Sequence, residues 1–426
     1  MKRNRGDRPR RRRRNANLHV VRDPEEQTDR LIEQIVAELN DEEVSRREIE
    51  EQSRRHKKRA RSRRVIIAVT ALAAVAAAFL FINLQTYTAV RVSDTYGNGR
   101  ISGGNYRQFS EGVLKYSRDG ISYLNQRGEE QWNQPYQIKN PFIEGNETSA
   151  AVADKGGNDI YVFQKDGIRG EIHTTLPIQR ISVSEQGIVC AVLKNESTPS
   201  IICYDTAGNI LVEHKASQGG TGYPVDASIS PDGQVMQVIY LYVNGGKVIS
   251  RVGFYNFGEA GNEKTDRQVL DKEYGETILA EGFFMSQNIS AVVGDNCLVL
   301  YEGKEQPEET VSVKIDKEIK SVFHSSRYIG LVLNNRGKSG CELRLYNKSG
   351  KQVLSKDFTG EYSNVKICGE QVILYDGRRC KIFMRNGIEK FQGETNNQIL
   401  EIFPISGVNK YIMINANGVE HIRLVK

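Results

Sequence analysis

Two patterns of hydrophobic and polar positions divide this chain of 426 residues. From residue 88 onward, short runs rich in Val, Ile and Tyr alternate with polar turns, which is typical of β-strands. Before residue 65 the apolar residues recur at helical spacing, with positions i, i+3, i+4 and i+7 occupied by Ile32, Ile35, Val36 and Leu39. We therefore expect an N-terminal helical segment followed by an all-β domain.

One strand-and-turn unit repeats along the β part. A strand ending in an aromatic residue is followed by polar residues and a glycine. Five clear copies end at Gly128, Gly167, Gly208, Gly350 and Gly387, and two weaker copies end at Gly258 and Gly303. The steps between these glycines, 37 to 50 residues, match the period of a four-stranded propeller blade. The repeat predicts an all-β propeller of seven or eight blades; the alternative is a pair of β-sandwiches with accidental spacing.

Tight turns and ring closure complete this prediction. Asn-Gly and Asp-Gly pairs supply the positive φ angles that tight hairpins need. Eight such pairs occur, at 98–99, 119–120, 166–167, 232–233, 244–245, 376–377, 386–387 and 417–418. The C-terminal segment KYIMINANGVEHIRLV is expected to close the ring by pairing with strands near residues 112–124, because closure protects exposed strand edges. We assign 85–111 to a linker and first strand, and 112–426 to the propeller.

An apolar run separates the two parts. Val65 to Ile82 are 18 residues without a charge, and a helix of that length spans about 27 Å, close to the hydrocarbon thickness of a bilayer. We predict a transmembrane helix at 65–84. A buried core helix is disfavoured because it rarely lacks a polar face over five turns. A cleaved secretory signal is disfavoured because 64 residues precede the run.

The distribution of charge predicts the orientation. Residues 1–64 contain 21 Lys and Arg against 13 Asp and Glu, whereas residues 85–426 contain 38 against 40. Positively charged flanks stay in the cytoplasm. We therefore expect a single-pass cell-membrane protein with a cytoplasmic N-terminus and an extracytoplasmic C-terminal domain. The uneven charge excludes a uniformly basic protein built to coat nucleic acid.

The cytoplasmic arm has two predicted parts. Residues 1–22 contain five consecutive arginines and no apolar cluster, so we expect a disordered basic tail. The sequence Asp23-Pro24-Glu25-Glu26 favours a helix start, and 23–64 is predicted to form an amphipathic and basic helix. The arm acts either as a topology signal or by contact with anionic lipid. The absence of interleaved aromatic residues weighs against nucleic acid as a partner.

Two stretches carry a resemblance to known proteins. Leu124 to Trp132, LNQRGEEQW, resembles the docking motif of quinoprotein-like blades, in which Trp follows Gly by four residues, although the other blades lack Trp. With the stretch Tyr223 to Gly258 and the apolar run, the chain resembles an uncharacterised family of membrane-anchored β-propeller proteins, quinoprotein-like or WD-like, from Gram-positive, clostridia-like bacteria. The resemblance covers about residues 65–426. It implies architecture and topology, and no reaction.

The cysteines, histidines and acidic residues form no recognisable catalytic or metal-binding motif. None of the six cysteines forms CxxC; Cys190 with Cys203 and Cys368 with Cys380 are interpreted either as hairpin disulfides or as small buried residues. No metal-ligand spacing joins the histidines His173, His214, His324 and His421. Asp226 and Asp232 are interpreted as structural. We therefore predict no catalytic residue, no cofactor and no metal site.

The function expected from these patterns is non-enzymatic. A rigid repeat scaffold held at a membrane is suited to binding a protein or cell-envelope partner on the propeller face. A transmembrane sensor, with the helix at 23–51 as its output, is the first alternative. A quinoprotein-type enzyme is the second, and only the Gly128/Trp132 motif supports it.

Overall fold

The computed structural model describes residues 24–97, 103–195, 198–217, 220–335, 340–407 and 409–426, except for some side chains of the first helix. The chain divides into two units, Met1–Phe81 and Ile82–Lys426, and each is described by itself. The predicted basic tail at 1–22 lies outside the described residues.

The N-terminal unit contains one helix, α1, which extends over Pro24–Asn83. It begins at the proline that the sequence indicates, because the fixed φ of proline suits the first turn of a helix. The helix continues without a break from the charged segment into the apolar run. Apolar side chains in both stretches, such as Leu31 and Ile67, are exposed. Judged on the residues that the structure describes, no helix combines the length and the apolarity that crossing a bilayer requires.

The second unit is a β-propeller of eight blades, each a four-stranded antiparallel sheet. Strand β1 covers Ala89–Tyr96. Blades 1 to 7 then take four consecutive strands each, in order from the first strand to the fourth.

The strands of blades 1 to 4 have the following bounds. Blade 1 contains β2 Asn105–Phe109, β3 Gly112–Tyr116, β4 Gly120–Leu124 and β5 Glu130–Pro135. Blade 2 contains β6 Pro141–Gly145, β7 Ser149–Asp154, β8 Asp159–Gln164 and β9 Gly167–His173. Blade 3 contains β10 Ile178–Val183, β11 Val189–Leu193, β12 Ser200–Tyr204 and β13 Ile210–Lys215. Blade 4 contains β14 Tyr223–Ile229, β15 Val235–Asn244, β16 Lys247–Asn256 and β17 Gln268–Tyr274, with a short helix α2 Glu259–Asn262 and a 3₁₀ turn Thr265–Arg267 before β17.

The remaining strands form blades 5 to 8. Blade 5 contains β18 Leu279–Ser286, β19 Ile289–Gly294, β20 Cys297–Glu302 and β21 Glu308–Lys314. Blade 6 contains β22 Ile319–His324, β23 Tyr328–Asn334, β24 Cys341–Asn347 and β25 Gln352–Phe358. Blade 7 contains β26 Asn364–Cys368, β27 Gln371–Asp376, β28 Arg379–Met384 and β29 Glu389–Glu394. Blade 8 contains β30 Glu401–Pro404, β31 Lys410–Asn415 and β32 Gly418–Val425, with β1 as its fourth strand.

Blade 8 closes the ring by joining distant parts of the chain. Strand β1 pairs antiparallel with β32, from Ala89 opposite Val425 to Tyr96 opposite Val419. The C-terminal segment therefore closes the propeller, as expected, but the expected partner near residues 112–124 was wrong. Those residues form the second and third strands of blade 1, and both of their edges are already paired.

The structure also explains why seven sequence copies correspond to eight blades. Each repeated glycine lies in the connection between the third and fourth strands of blades 1 to 7, except Gly167, which is the first residue of the fourth strand of blade 2. At Gly128, Gly208 and Gly350 φ is 74°, 82° and 70°, a region that favours glycine. Blade 8 receives its fourth strand from the N-terminal side, so it has no such turn and no such glycine.

The apolar core lies between neighbouring blades, and the Gly128/Trp132 motif contributes to it. Trp132, on the fourth strand of blade 1, stacks on Phe163 of blade 2 with ring centres 5.5 Å apart. Its indole N–H donates to the carbonyl oxygen of Lys165 at 2.9 Å. The tryptophan therefore docks one blade on the next. This packing role accounts for the motif that was the only sequence support for a quinoprotein-type enzyme.

The propeller has two faces. The upper face is formed by the turns between second and third strands and by the connections between blades. The lower face is formed by the other turns, and the chain enters the propeller there. At this entry Tyr87 donates its backbone N–H to Lys390 at 2.9 Å, and Thr88 donates to Val425 at 3.0 Å.

Candidate functional site

The first strands of the eight blades surround the axis of the propeller, and each carries an ionisable side chain. We call this set the channel ring. Its members are Arg107, Glu144, Arg180, Asp226, Glu281, His324, Lys366 and Glu401.

Electrostatic coupling between blades that are not neighbours indicates that five of these side chains, Arg107, Glu144, Asp226, Glu281 and His324, face the same central space. Glu144 of blade 2 contributes to the raised pKa values of Asp226 in blade 4 and of Glu281 in blade 5. Arg107 of blade 1 contributes to the lowered pKa of His324 in blade 6. These blades are not neighbours, so the side chains act on one another across the channel.

Backbone irregularities help to place part of the ring. In blades 3, 4 and 5 the pairing of the first strand with the second shifts by one residue immediately before Arg180, Asp226 and Glu281. Blade 6 has the same shift before Ser321. A β-bulge of this kind bends the strand and redirects the side chain that follows. The bulges thus recur directly before the channel-ring residues of three successive blades.

Two cations of the ring are held by neighbouring blades. Arg107 donates to the carbonyl oxygens of Ile143 at 2.5 Å and Gly145 at 3.2 Å, and its guanidinium lies 3.5 Å from the Glu144 carboxylate. Lys366 of blade 7 forms an ion pair with the buried Glu401 of blade 8. Both contacts fix the first strands of adjacent blades to each other.

The charges of Asp226 and Glu281, on the other side of the channel, are less well balanced by nearby cations. Burial raises the pKa of Asp226 to about 6, although a backbone N–H from Gly282 at 2.8 Å opposes this shift. Burial and then the charge of Asp226 raise the pKa of Glu281 to about 7, and Arg180 opposes the shift. The two carboxylates therefore titrate as an interacting pair close to neutral pH.

His324, the ring member of blade 6, has a pKa that is lowered and not raised. Its ring stacks on Phe283 with centres 3.8 Å apart and planes within 4°. Part of the imidazole is accessible to solvent, but the channel wall surrounds it. The resulting desolvation, followed by the charge of Arg107, lowers the pKa of His324 to about 4. The imidazole is therefore neutral at physiological pH.

Replacing the least compensated acid is expected to stabilise the protein at high pH. The folded-state pKa of Glu281 lies above its ordinary 4.5, so stability falls as the pH rises from about 4.5 through about 7. After a discount for solvent screening, we expect Glu281→Gln to gain about 1–2 kcal/mol at pH 8, or roughly 2–4 °C in Tm, and nothing at pH 4. Thermal unfolding at both values checks this. Glu276→Gln, an exposed control, should leave Tm unchanged; an equal Tm for Glu281→Gln and wild type at pH 8 would contradict the prediction.

The upper face has a projecting element in blade 4. Strands β15 and β16 each have ten residues, and their pairing continues beyond Leu241 and Ser250 to Asn244 and Lys247. The segment 242–249 therefore projects as a two-stranded hairpin. Its turn contains Gly245 and Gly246 with φ of 57° and 79°, in agreement with the predicted turn at 244–245.

This hairpin carries exposed apolar side chains. Val243 and Val248 are paired across it and are 71% and 46% exposed. Ile278, in the connection to blade 5, is 45% exposed, and the Ser250 hydroxyl at the hairpin base donates to Thr277 beside it at 2.9 Å. We call Val243, Val248 and Ile278 the hairpin patch. The other exposed large apolar residues described in the propeller, Ile168, Ile210 and Leu211, lie on fourth strands.

The aspartates and cysteines considered in the sequence analysis lie in separate parts of the propeller. Asp232 forms the turn expected of it, where the Ser230 hydroxyl donates to its carboxylate at 2.7 Å, whereas Asp226 belongs to the channel ring. Cys190 and Cys203 lie directly opposite each other on adjacent strands, and all six cysteines are free in this structure. Within the described ranges, no group of three His, Cys, Asp or Glu side chains is arranged to hold a metal ion.

Comparison with known proteins was made by family, by sequence and by structure. Residues 83–424 match a family described as a family of unknown function, DUF5711. The chain belongs to this family. The matched region begins at the last residue of α1 and covers all eight blades, so the family is defined on the propeller. A search of curated proteins gives no match.

Several solved structures are similar to this chain. BamB from Moraxella catarrhalis shares 11% identity at a TM-score of 0.45, with 80% of this chain and 99% of that chain covered. Sqt1 from Saccharomyces cerevisiae shares 13% identity at a TM-score of 0.50, with 81% and 99% covered. The Dos1 propeller shares 12% identity at a TM-score of 0.47, with 80% and 95% covered. At these identities the likeness concerns the fold alone.

Proposed function

We propose that this protein is a membrane-anchored, non-enzymatic binding or scaffold protein of the cell envelope. Its propeller would lie outside the membrane and bind a protein partner on the upper face. The observation that carries the proposal is the hairpin patch, an exposed apolar surface on a rigid β scaffold.

The hairpin patch has the features of a protein contact site. The propeller buries most of its large apolar side chains, yet Val243 and Val248 are exposed opposite each other on the hairpin, and Ile278 is exposed in the connection beside the hairpin base. Exposed apolar groups that cluster, and are surrounded by polar residues, mark protein contact sites more often than scattered ones do. The Tyr242 hydroxyl donates to Glu273 at 2.6 Å, which restrains the hairpin before binding and so lowers the entropy cost of docking.

The membrane anchor is proposed from the sequence of residues 65–84. This run has no charge over 18 residues and is preceded by eight basic residues between Arg54 and Arg64. A helix is the only open segment that satisfies its own backbone hydrogen bonds in lipid. The chain joins the propeller at the lower face, so the upper face is the one that we propose for the partner.

The partner site can be tested by photo-crosslinking in cells that express the full chain. A photoreactive amino acid at position 243 is expected to give a discrete higher-mass adduct. The matched control carries the same amino acid at position 211, an exposed apolar residue on the fourth strand of blade 3. Adding Val248→Asp to the position-243 protein should reduce the adduct at least about tenfold, because a desolvated charge opposes apolar docking. Equal adducts at 243 and 211, or none at either, would reject the partner site.

The same cells test the anchor. The full chain should remain in the membrane fraction after alkaline extraction, and a chain without residues 65–84 should be released. Protease added outside the permeabilised wall should digest the propeller of the full chain. Recovery of the full chain in the soluble fraction would remove the anchor from the proposal while leaving the crosslinking result intact.

A further inference from the structure

A second feature of the upper face is a basic cavity over blades 1 and 2. Its volume is about 930 Å³. Four of the lining residues are cations: Lys115, Arg118, Lys139 and Lys155. Two are acids, Asp119 and Glu130. The lining therefore has a net charge of +2, in a domain whose overall charge is close to balanced.

The four cations come from four different segments. Lys115 is on β3, Arg118 is in the turn between β3 and β4, Lys139 is in the connection between the blades, and Lys155 is in the turn between β7 and β8. Residues that approach one cavity from separate segments are brought together by the fold, not by local sequence.

Backbone hydrogen bonds hold these segments in fixed positions. The N–H of Ile138 donates to Arg118 at 2.8 Å, and that of Lys155 donates to Asn140 at 3.0 Å. The N–H of Asn140 donates to the Asp154 carboxylate at 2.8 Å. The positive charges are thus carried on a preorganised frame, which reduces the entropy cost of binding.

The cations of this cavity differ in their pairing from several arginines and lysines of the propeller that form ion pairs. Those cations are held by carboxylates: Arg251 by Asp271, Arg344 by Glu342 and Lys366 by Glu401. Among the described residues, no ion pair joins any of the four cavity cations to a carboxylate. Their charge is available to a ligand.

We propose that this cavity binds a polyanion of the phosphate class, with at least two phosphate groups. Three lysines and one arginine provide flexible ammonium donors and one fork of N–H donors, which suit phosphate oxygens. The side chains of Asn105 and Asn133 also line the cavity and can donate to them. A cavity of this volume is in the range of sites for extended ligands, and a single inorganic phosphate would fill little of it. The proposal does not depend on the hairpin patch or on the anchor.

The direct test is a lysine-labelling footprint on the full chain. Sodium tripolyphosphate is added in increasing amounts, and acylation of individual lysines is read by mass spectrometry. Lys115, Lys139 and Lys155 should be protected at least about threefold, and the exposed lysines Lys194, Lys247 and Lys351 should not. Because the readout is specific to each residue, the basic N-terminal arm does not confound it. Equal labelling of both sets at saturating tripolyphosphate would overturn the proposal.

Paired variants give the affinity. The triple variant Lys115→Gln, Lys139→Gln and Lys155→Gln should weaken the affinity for tripolyphosphate about tenfold or more. Its binding is measured by the protection of Arg118 from an arginine-specific dicarbonyl reagent. The matched control, Lys194→Gln with Lys247→Gln and Lys351→Gln, removes the same charge and should change the affinity less than about twofold. An equal loss in both would show a general charge effect and no site.

Three probes identify the source of the phosphate. Tripolyphosphate represents a free polyphosphate, and an oligomer of glycerol phosphate represents a phosphodiester polymer. Protection by either probe supports the site, and the probe that binds more tightly identifies the source of the phosphate. A hexamer of glutamate tests the phosphate class itself; tighter protection by this carboxylate oligomer than by both phosphate probes would overturn the assignment.

Discussion

A chain that begins at residue 98 and lacks strand β1 is expected to fail to form a stable propeller. Its matched control, a chain that begins at residue 85, retains β1 and should fold. The deletion leaves β32 with an unpaired edge along the register from Val419 to Val425. It also removes Val90 and Val92, which pack against the apolar cluster that contains Tyr411 and Leu424.

The expected size of this effect follows from the lost contacts. Two partly buried valines contribute roughly 2–4 kcal/mol, and an exposed strand edge adds a template for aggregation. We expect the shorter chain to aggregate, or to unfold at least about 4 °C below the control. Size-exclusion chromatography and thermal unfolding measure both outcomes. A monomeric shorter chain with the Tm of the control would show that blade 8 does not need its fourth strand.

The second large effect is expected at Glu342 in blade 6. Its side chain is 6% exposed and accepts hydrogen bonds from Lys317 at 2.6 Å, from Arg344 at 2.7 Å and from the Ser355 hydroxyl at 2.7 Å. Burial alone raises the pKa of Glu342, but these hydrogen bonds outweigh it and lower the pKa to about 2. Glu342→Ala leaves two cations without their shared partner and should cost about 3–5 kcal/mol.

The pH dependence separates this interaction from simple loss of packing. The folded-state pKa of Glu342 is below its ordinary 4.5, so its contribution is present above about pH 4.5 and is lost as the pH falls toward 2. Urea unfolding should therefore show a wild-type advantage over Glu342→Ala that shrinks on acidification. Asp316→Asn, which removes the exposed partner of Arg344, serves as the control and should cost less than about 1 kcal/mol. An advantage that stays constant between pH 7 and pH 3 would mean that the ion pairs do not stabilise the fold.

The propeller could be predicted from the sequence because one local requirement repeats. The connection between third and fourth strands needs a residue with positive φ in six of the first seven blades, and glycine supplies it there; Gly258 of blade 4 has an ordinary negative φ. The count of blades could not be fixed in this way, because blade 8, which takes its fourth strand from the N-terminal side, lacks that turn. Its closing partner was wrongly predicted because a sequence does not show which strand edges are already occupied.

The channel ring was not predicted, although a signal for it exists. At least one charged or titratable residue occurs in the first strand of every blade, but an isolated charge in a short strand looks the same as a solvent-exposed residue. Only when the first strands are known does the recurrence of residues such as Arg107, Asp226 and Glu281 become visible. The basic cavity was missed for a related reason, since its cations are scattered along the sequence and meet only through the packing of blades 1 and 2.

The pairing of β1 with β32 in blade 8 imposes an order on biosynthesis. Strand β32 leaves the ribosome more than 300 residues after β1, so β1 waits for its partner during most of translation. Contacts between such distant residues are slow to form and leave intermediates open to aggregation. Blades 1 to 7 consist of consecutive strands, so blade 8 and the closure of the ring are expected to form last, only after synthesis of β32.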